Sequence, residues 1–98
     1  MSKKSKWLSS SVGELLAARR KGLGLTQAEV AKSLRIQRTS VSNIESGKQV
    51  LLLDVFYDIC QMLKISPVEI LDNAVLGISE GKTPYEEIET IVASVTDK

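Results

Sequence analysis

Residues 25–47, LTQAEVAKSLRIQRTSVSNIESG, decide the fold. Thr26 is placed to N-cap a helix, its hydroxyl accepting from a free backbone N–H. Glu29, three residues on, completes a capping box. Val30, Ala31 and Leu34 then follow at helical spacing, while Gln27 and Lys32 turn elsewhere. Leu34-Arg35-Ile36 is too short to be anything but a turn. Beyond it, Val41 and Ile44 are spaced to face inward. Arg38, Thr39, Ser42 and Asn43 share the opposite face of the same short helix. Gly47 ends that helix, because glycine tolerates the left-handed C′ position.

Two short helices, a tight turn and a polar outer face on the second helix form a helix-turn-helix unit. Such a unit presents its second helix to the DNA major groove. The side-chain chemistry agrees. Arg38 can donate a bidentate pair to guanine O6 and N7, or bind a phosphate. Asn43 can pair with adenine N6 and N7. Thr39 and Ser42 can touch a thymine methyl or a phosphate, or act only as spacers.

The rest of the chain reads as helices. Helix 1 is expected over about Ser11 to Lys21, with Val12, Leu15, Leu16 and Ala18 apolar and Gly22 and Gly24 ending it. Helix 4 is expected over roughly Leu52 to Leu63, with Phe56, Ile59, Cys60 and Leu63 as its inward stripe. Helix 5 starts near Ser66-Pro67, a cap followed by proline at the first helical position, with Val68, Ile70 and Leu71 on its apolar side. Residues 77–82, GISEGK, look like a linker. Thr83-Pro84-Tyr85-Glu86 opens a last amphipathic helix carrying Tyr85, Ile88, Ile91, Val92 and Val95. No β pattern and no internal repeat appears. The expected organisation is a basic arm at 1–10, a helix-turn-helix domain at 11–76, and a linker with a C-terminal helix at 77–98.

Ninety-eight residues suit one domain, which buries roughly 60–70% of the surface its unfolded chain exposes. The net charge is +1, but it is segregated. Residues 1–48 carry +7 and residues 49–98 carry −6. The basic half contains the helix-turn-helix, as an electrostatic footprint for phosphates requires. No run of about 18 apolar residues is present, so no membrane span is expected. The basic start, MSKKSKWLSSSV, lacks the apolar segment of a signal peptide. Cys60 is the only cysteine, and a small buried thiol in a reducing cytoplasm is the expected reading. There is no histidine, no metal-ligand cluster, no phosphate-cradling glycine loop and no nucleophile–base pair. Neither an enzyme nor a cofactor or metal site is expected.

At VGELLAARR, GLTQAEVA, VSNIESGK and LKISPVEIL, in that order and spacing, the chain resembles the lambda-repressor-like, Cro/cI-type (XRE) helix-turn-helix family. The match covers about residues 12–71. The resemblance implies an all-α, five-helix DNA-binding domain, here with an additional C-terminal helix. It implies a phage or bacterial transcription regulator that commonly binds as a symmetric dimer. Gln27 matches a glutamine that contacts the phosphate backbone and braces the recognition helix. Arg38, Thr39, Ser42 and Asn43 match positions that meet base edges. Lys48 matches a backbone-contacting lysine. Arg20 and Glu45 match an arginine–carboxylate pair that ties helix 1 to helix 3.

Three features depart from the family. Arg35 stands where the turn usually has glycine, so either it bears a left-handed strain of about 1 kcal/mol or the turn is altered in this chain. Gln37 replaces the usual serine-type cap of helix 3. Val50-Leu51-Leu52-Leu53 replaces a polar stretch, and four consecutive apolar residues cannot all enter a small core. Val50, Leu51 and Leu52 are therefore expected in a dimer interface, or else under the C-terminal helix of the same chain. Lys3, Lys4 and Lys6 with Trp7 either follow DNA or leave Trp7 and Leu8 folded on helix 1.

The expected function is a sequence-specific DNA-binding regulator, a repressor that binds a near-palindromic operator as a homodimer in the cytoplasm. Two other readings stay open. One is an antitoxin-like protein that also docks a protein partner through its C-terminal helix. The other is an interaction module without DNA binding.

Overall fold

The computed structural model describes residues 6–78. Five α-helices make it up: α1 (Lys6–Gly22), α2 (Gln27–Leu34), α3 (Arg38–Glu45), α4 (Leu53–Met62) and α5 (Pro67–Ile78). No strand occurs among the described residues. The sixth helix expected from 83 onward, and Lys3 and Lys4 of the arm, lie outside them.

The core is built from the faces the spacing points inward. Leu16, Val30, Val41, Ile44, Phe56, Ile59, Cys60, Leu63 and Ile70 are all buried. Burial pushes the Cys60 thiol above its ordinary pKa, as suits a packed rather than a reactive cysteine. Helix α1 runs through the middle and packs on both α3 and α5, while α2 lies against α3 and α4.

Some boundaries differ from expectation. Helix α1 begins at Lys6, five residues before Ser11. The polar run Ser9-Ser10-Ser11 hides this extension. Leu8 nevertheless packs on the core, and the Ser11 hydroxyl donates to the Ala74 carbonyl at 3.1 Å, fastening α1 to α5. Helix α5 continues to Ile78, two residues into the expected linker. Its inward face is Ile70 and Ala74, four apart, whereas Val68 is exposed. Ala18 in α1 is also exposed rather than apolar-facing.

The first four helices end in the same way. In each, a residue in the left-handed region follows the helix, and the next N–H reaches five residues back. Leu25 N–H donates to Arg20 O, Ile36 to Ala31 O, Lys48 to Asn43 O and Ile65 to Cys60 O, at 2.9–3.1 Å. The left-handed residues are Gly24, Arg35, Gly47 and Lys64. This is the Schellman closure, which satisfies carbonyls that a helix end leaves unpaired. Glycine adopts it freely, whereas Arg35 (φ 58°) and Lys64 (φ 55°) do so against a Cβ penalty. Arg35→Gly and Lys64→Gly are each expected to stabilise the protein by about 0.5–1 kcal/mol, since part of the gain is returned as unfolded-state entropy. The sites are separate, so thermal melts of the double variant should give an additive gain.

Candidate nucleic-acid interface

The capping box at the start of α2 is complete. Glu29 N–H donates to Thr26 Oγ1 at 3.0 Å, and Thr26 N–H donates to the Glu29 carboxylate at 2.8 Å. Hydrogen bonding from Thr26, first its backbone N–H and then its side chain, holds the Glu29 carboxyl below its ordinary pKa. Gln27 therefore stands at the first position of a well-capped helix, beside free N–H groups that favour anions. Helix α3 begins less firmly, because Gln37 makes no side-chain cap bond.

Within α3, Val41 and Ile44 are buried. On the other face Arg38 and Thr39 are exposed, and Ser42 and Asn43 are half-buried. Lys48 is exposed just beyond the helix. The four candidate reading residues thus project from one side of one short helix.

Behind that face lies a chain of polar contacts. Arg20, only 8% exposed, donates through Nε to Glu45 Oε2 at 2.7 Å and through Nη2 to Glu45 Oε1 at 3.0 Å. Its Nη1 donates to the Leu25 carbonyl at 2.7 Å. Gln27 Nε2 donates to Glu45 Oε1 at 2.9 Å, and Arg38 Nη1 donates to Gln27 Oε1 at 3.0 Å. Burial pushes the Glu45 carboxyl up. The hydrogen bonds from Arg20 and Gln27, with the charges of Arg20 and Lys21, outweigh this and hold it below its ordinary pKa. The hydrogen bond to Glu45, opposed by burial, raises Arg20.

Two glycines set how α3 sits on α1. A Cβ on Gly13 would collide with the Ile44 carbonyl and stand 2.7 Å from the Glu45 carbonyl. A Cβ on Gly47 would lie 2.6 Å from Ser10 Oγ and 2.8 Å from Ser10 Cα. Both ends of this contact are backbone against backbone.

Residues 13–75, more than half of the chain, match the family described as helix-turn-helix domain. The chain belongs to that family. Among solved structures, this helix-turn-helix protein is similar to the clp gene regulator ClgR from Corynebacterium glutamicum. The two share 25% identity over 69% of this chain and 87% of that one, with a TM-score of 0.67. It is also similar to the restriction-modification controller protein C.AhdI from Aeromonas hydrophila. There the identity is 26%, covering 62% of this chain and 92% of that one, with a TM-score of 0.60. A point variant of the controller protein C.Esp1396I gives 27% identity, 72% and 90% coverage, and a TM-score of 0.64. No curated protein matches the chain. The fold is that of a lambda-repressor-like, XRE-type DNA-binding regulator.

Sequence reasoning placed Arg20 and Glu45 together only through the family resemblance. It missed Arg19, whose Nε donates to Leu63 O at 2.9 Å and whose Nη2 donates to Lys64 O at 3.0 Å. There a cation meets the C-terminal carbonyls of α4, the favourable end of that helix dipole. It also missed Gly13, although a glycine inside a helical pattern signals a close approach. Among the described residues no cluster of three or more His, Cys, Asp or Glu side chains comes together to hold a metal. No helix among them is long and apolar enough to cross a membrane.

Proposed function

We propose that the protein is a sequence-specific transcription regulator, a repressor that lays α3 in the major groove of a near-palindromic operator in the cytoplasm. The observation that carries this reading is the single outward face of α3, with Arg38, Thr39, Ser42 and Asn43 projecting while Val41 and Ile44 anchor the helix. Arg38 reads guanine and Asn43 reads adenine. Gln27, at the N-terminus of α2, and Lys48 bind phosphates and fix the register. The protein itself performs no chemistry; occupancy of a promoter is the output.

Selection of bound fragments from a random DNA pool tests the reading. The expected result is a short half-site repeated in inverted orientation, with centres about 34 Å or a multiple of it apart. Failure to enrich any sequence at low salt would remove the proposal. Arg38→Ala should then cost about 1–3 kcal/mol of discrimination at one base pair of each half-site, read by competition binding, and leave the other positions unchanged.

The inverted repeat needs a dimer, and the apolar segment before and at the start of α4 supports one. Val50 is 56%, Leu52 61%, Leu53 80% and Tyr57 54% exposed. Leu51, by contrast, packs half-buried against the core. Beside them Leu8, Val12, Leu51, Leu53, Phe56 and Leu71 line an apolar cleft of about 200 Å³. Such a patch on a small domain marks a protein contact. Leu53→Glu should leave the fold intact and shift the protein toward monomer in sedimentation velocity. Self-association equal to wild type would exclude this surface.

A further inference from the structure

The contacts behind α3 have a fixed polarity. A carboxylate only accepts hydrogen bonds and a guanidinium only donates them. Between the two stands one amide, that of Gln27, which does both. Glu45 already receives both Arg20 bonds, so only the amino group of Gln27 can face it, at 2.9 Å. The carbonyl of Gln27 must then point the other way, where it meets Arg38 Nη1 at 3.0 Å. Donor and acceptor alternate from Arg20 in α1 to Arg38 on the exposed face of α3, with no mismatched pair.

We propose that Glu45 is a positioning residue for DNA reading. Its charge sets the direction of the Gln27 amide, and that direction holds the Arg38 guanidinium in place before DNA arrives. Glu45 itself lies behind the reading face, half-buried, with its carboxylate occupied by Arg20 and Gln27. Arg38 is a long, exposed side chain whose freedom would otherwise be lost at the moment of binding. With one N–H held by Gln27, four remain for a base edge or phosphate. The inference rests on the proposed DNA-reading role of Arg38, but its first test needs no DNA.

Glu45→Met keeps the length of the side chain and removes both acceptor oxygens. The Gln27 amide then has nothing to fix its direction, and its carbonyl no longer stays on Arg38. Adding Gln27→Glu restores an acceptor toward Arg38, because a carboxylate has no polarity to reverse. Glu45→Asp provides a second test that keeps the charge beside Arg20 but withdraws it from Gln27.

In the free, full-length protein, the Arg38 Nε–H resonance in ¹⁵N spectra, assigned with Arg38→Lys, should be ordered in wild type. It should become mobile in Glu45→Met and Glu45→Asp, and regain order in Gln27→Glu/Glu45→Met. On DNA selected by the wild type, Glu45→Met should lose about five-fold of its discrimination at the base pair that Arg38→Ala identifies. A purely structural role for Glu45 predicts a lower melting temperature with an unchanged Arg38 signal and no rescue, and that result would overturn the proposal. If no DNA is selected, the proposed function fails, while the free-protein spectra still decide whether Glu45 holds Arg38.

Discussion

Replacing Gly13 with alanine should destabilise the protein by about 2–3 kcal/mol, even though alanine favours a helix interior by about 1 kcal/mol over glycine. The larger effect wins because of what the new methyl group meets. It would fall on the Ile44 carbonyl and within 2.7 Å of the Glu45 carbonyl, both fixed in α3. No side chain can rotate aside to make room, so α1 and α3 must separate. In a domain of this size that cost lowers the melting temperature by roughly 10–20 °C. Thermal unfolding followed by circular dichroism measures it. A melting temperature equal to or above wild type would mean that the helices slide apart freely and that the contact carries no strain. A larger side chain, as in Gly13→Leu, should fail to fold.

Removing the Arg20 guanidinium, as in Arg20→Met, should cost about 3 kcal/mol near neutral pH. Three hydrogen bonds disappear: two to Glu45 and one to the Leu25 carbonyl. The Glu45 carboxylate is left with Gln27 as its remaining partner. The acid dependence of the difference identifies the cause. In the wild type the folded-state pKa of Glu45 is depressed, so its contribution is present above the ordinary glutamate range. That contribution is lost as pH falls through that range toward the depressed value. Without Arg20 the carboxyl takes up a proton more readily in the folded state. The gap between wild type and Arg20→Met should therefore be widest near neutrality and narrow below about pH 4.5. A gap that stays constant down to pH 3 would assign the loss to packing and to the Leu25 bond instead.

The sequence was most legible where local chemistry decides local structure. Thr26 and Glu29 announce a capping box, and both of its bonds form. Of the two readings open at Arg35, a left-handed residue or an altered turn, the first holds, with φ 58°. Val41 and Ile44 were read inward and are buried. Lys64 adopts the same conformation as Arg35 without a comparable signal, because the residue that closes a helix need not be glycine. Arg19 was opaque for a different reason. Its partners are backbone carbonyls of Leu63 and Lys64, more than forty positions away, and a carbonyl has no residue type. In α5 the short apolar run permitted two phases, and Ala74 rather than Val68 faces inward, since the close seat on α1 suits a small side chain. The candidate interface was legible as a set of residues. The order of donors and acceptors that joins Arg20, Glu45, Gln27 and Arg38 required coordinates.

Because α3 is seated on α1 by close approaches at Gly13 and Gly47, its docking does not depend on the exposed side chains of its opposite face. The exposed Arg38 and Thr39 can then be exchanged without altering where the helix lies, and the half-buried Ser42 and Asn43 accept side chains of similar size. Under the proposed DNA-reading role of α3, target preference is then a trait that a few substitutions reprogram while the scaffold beneath stays the same.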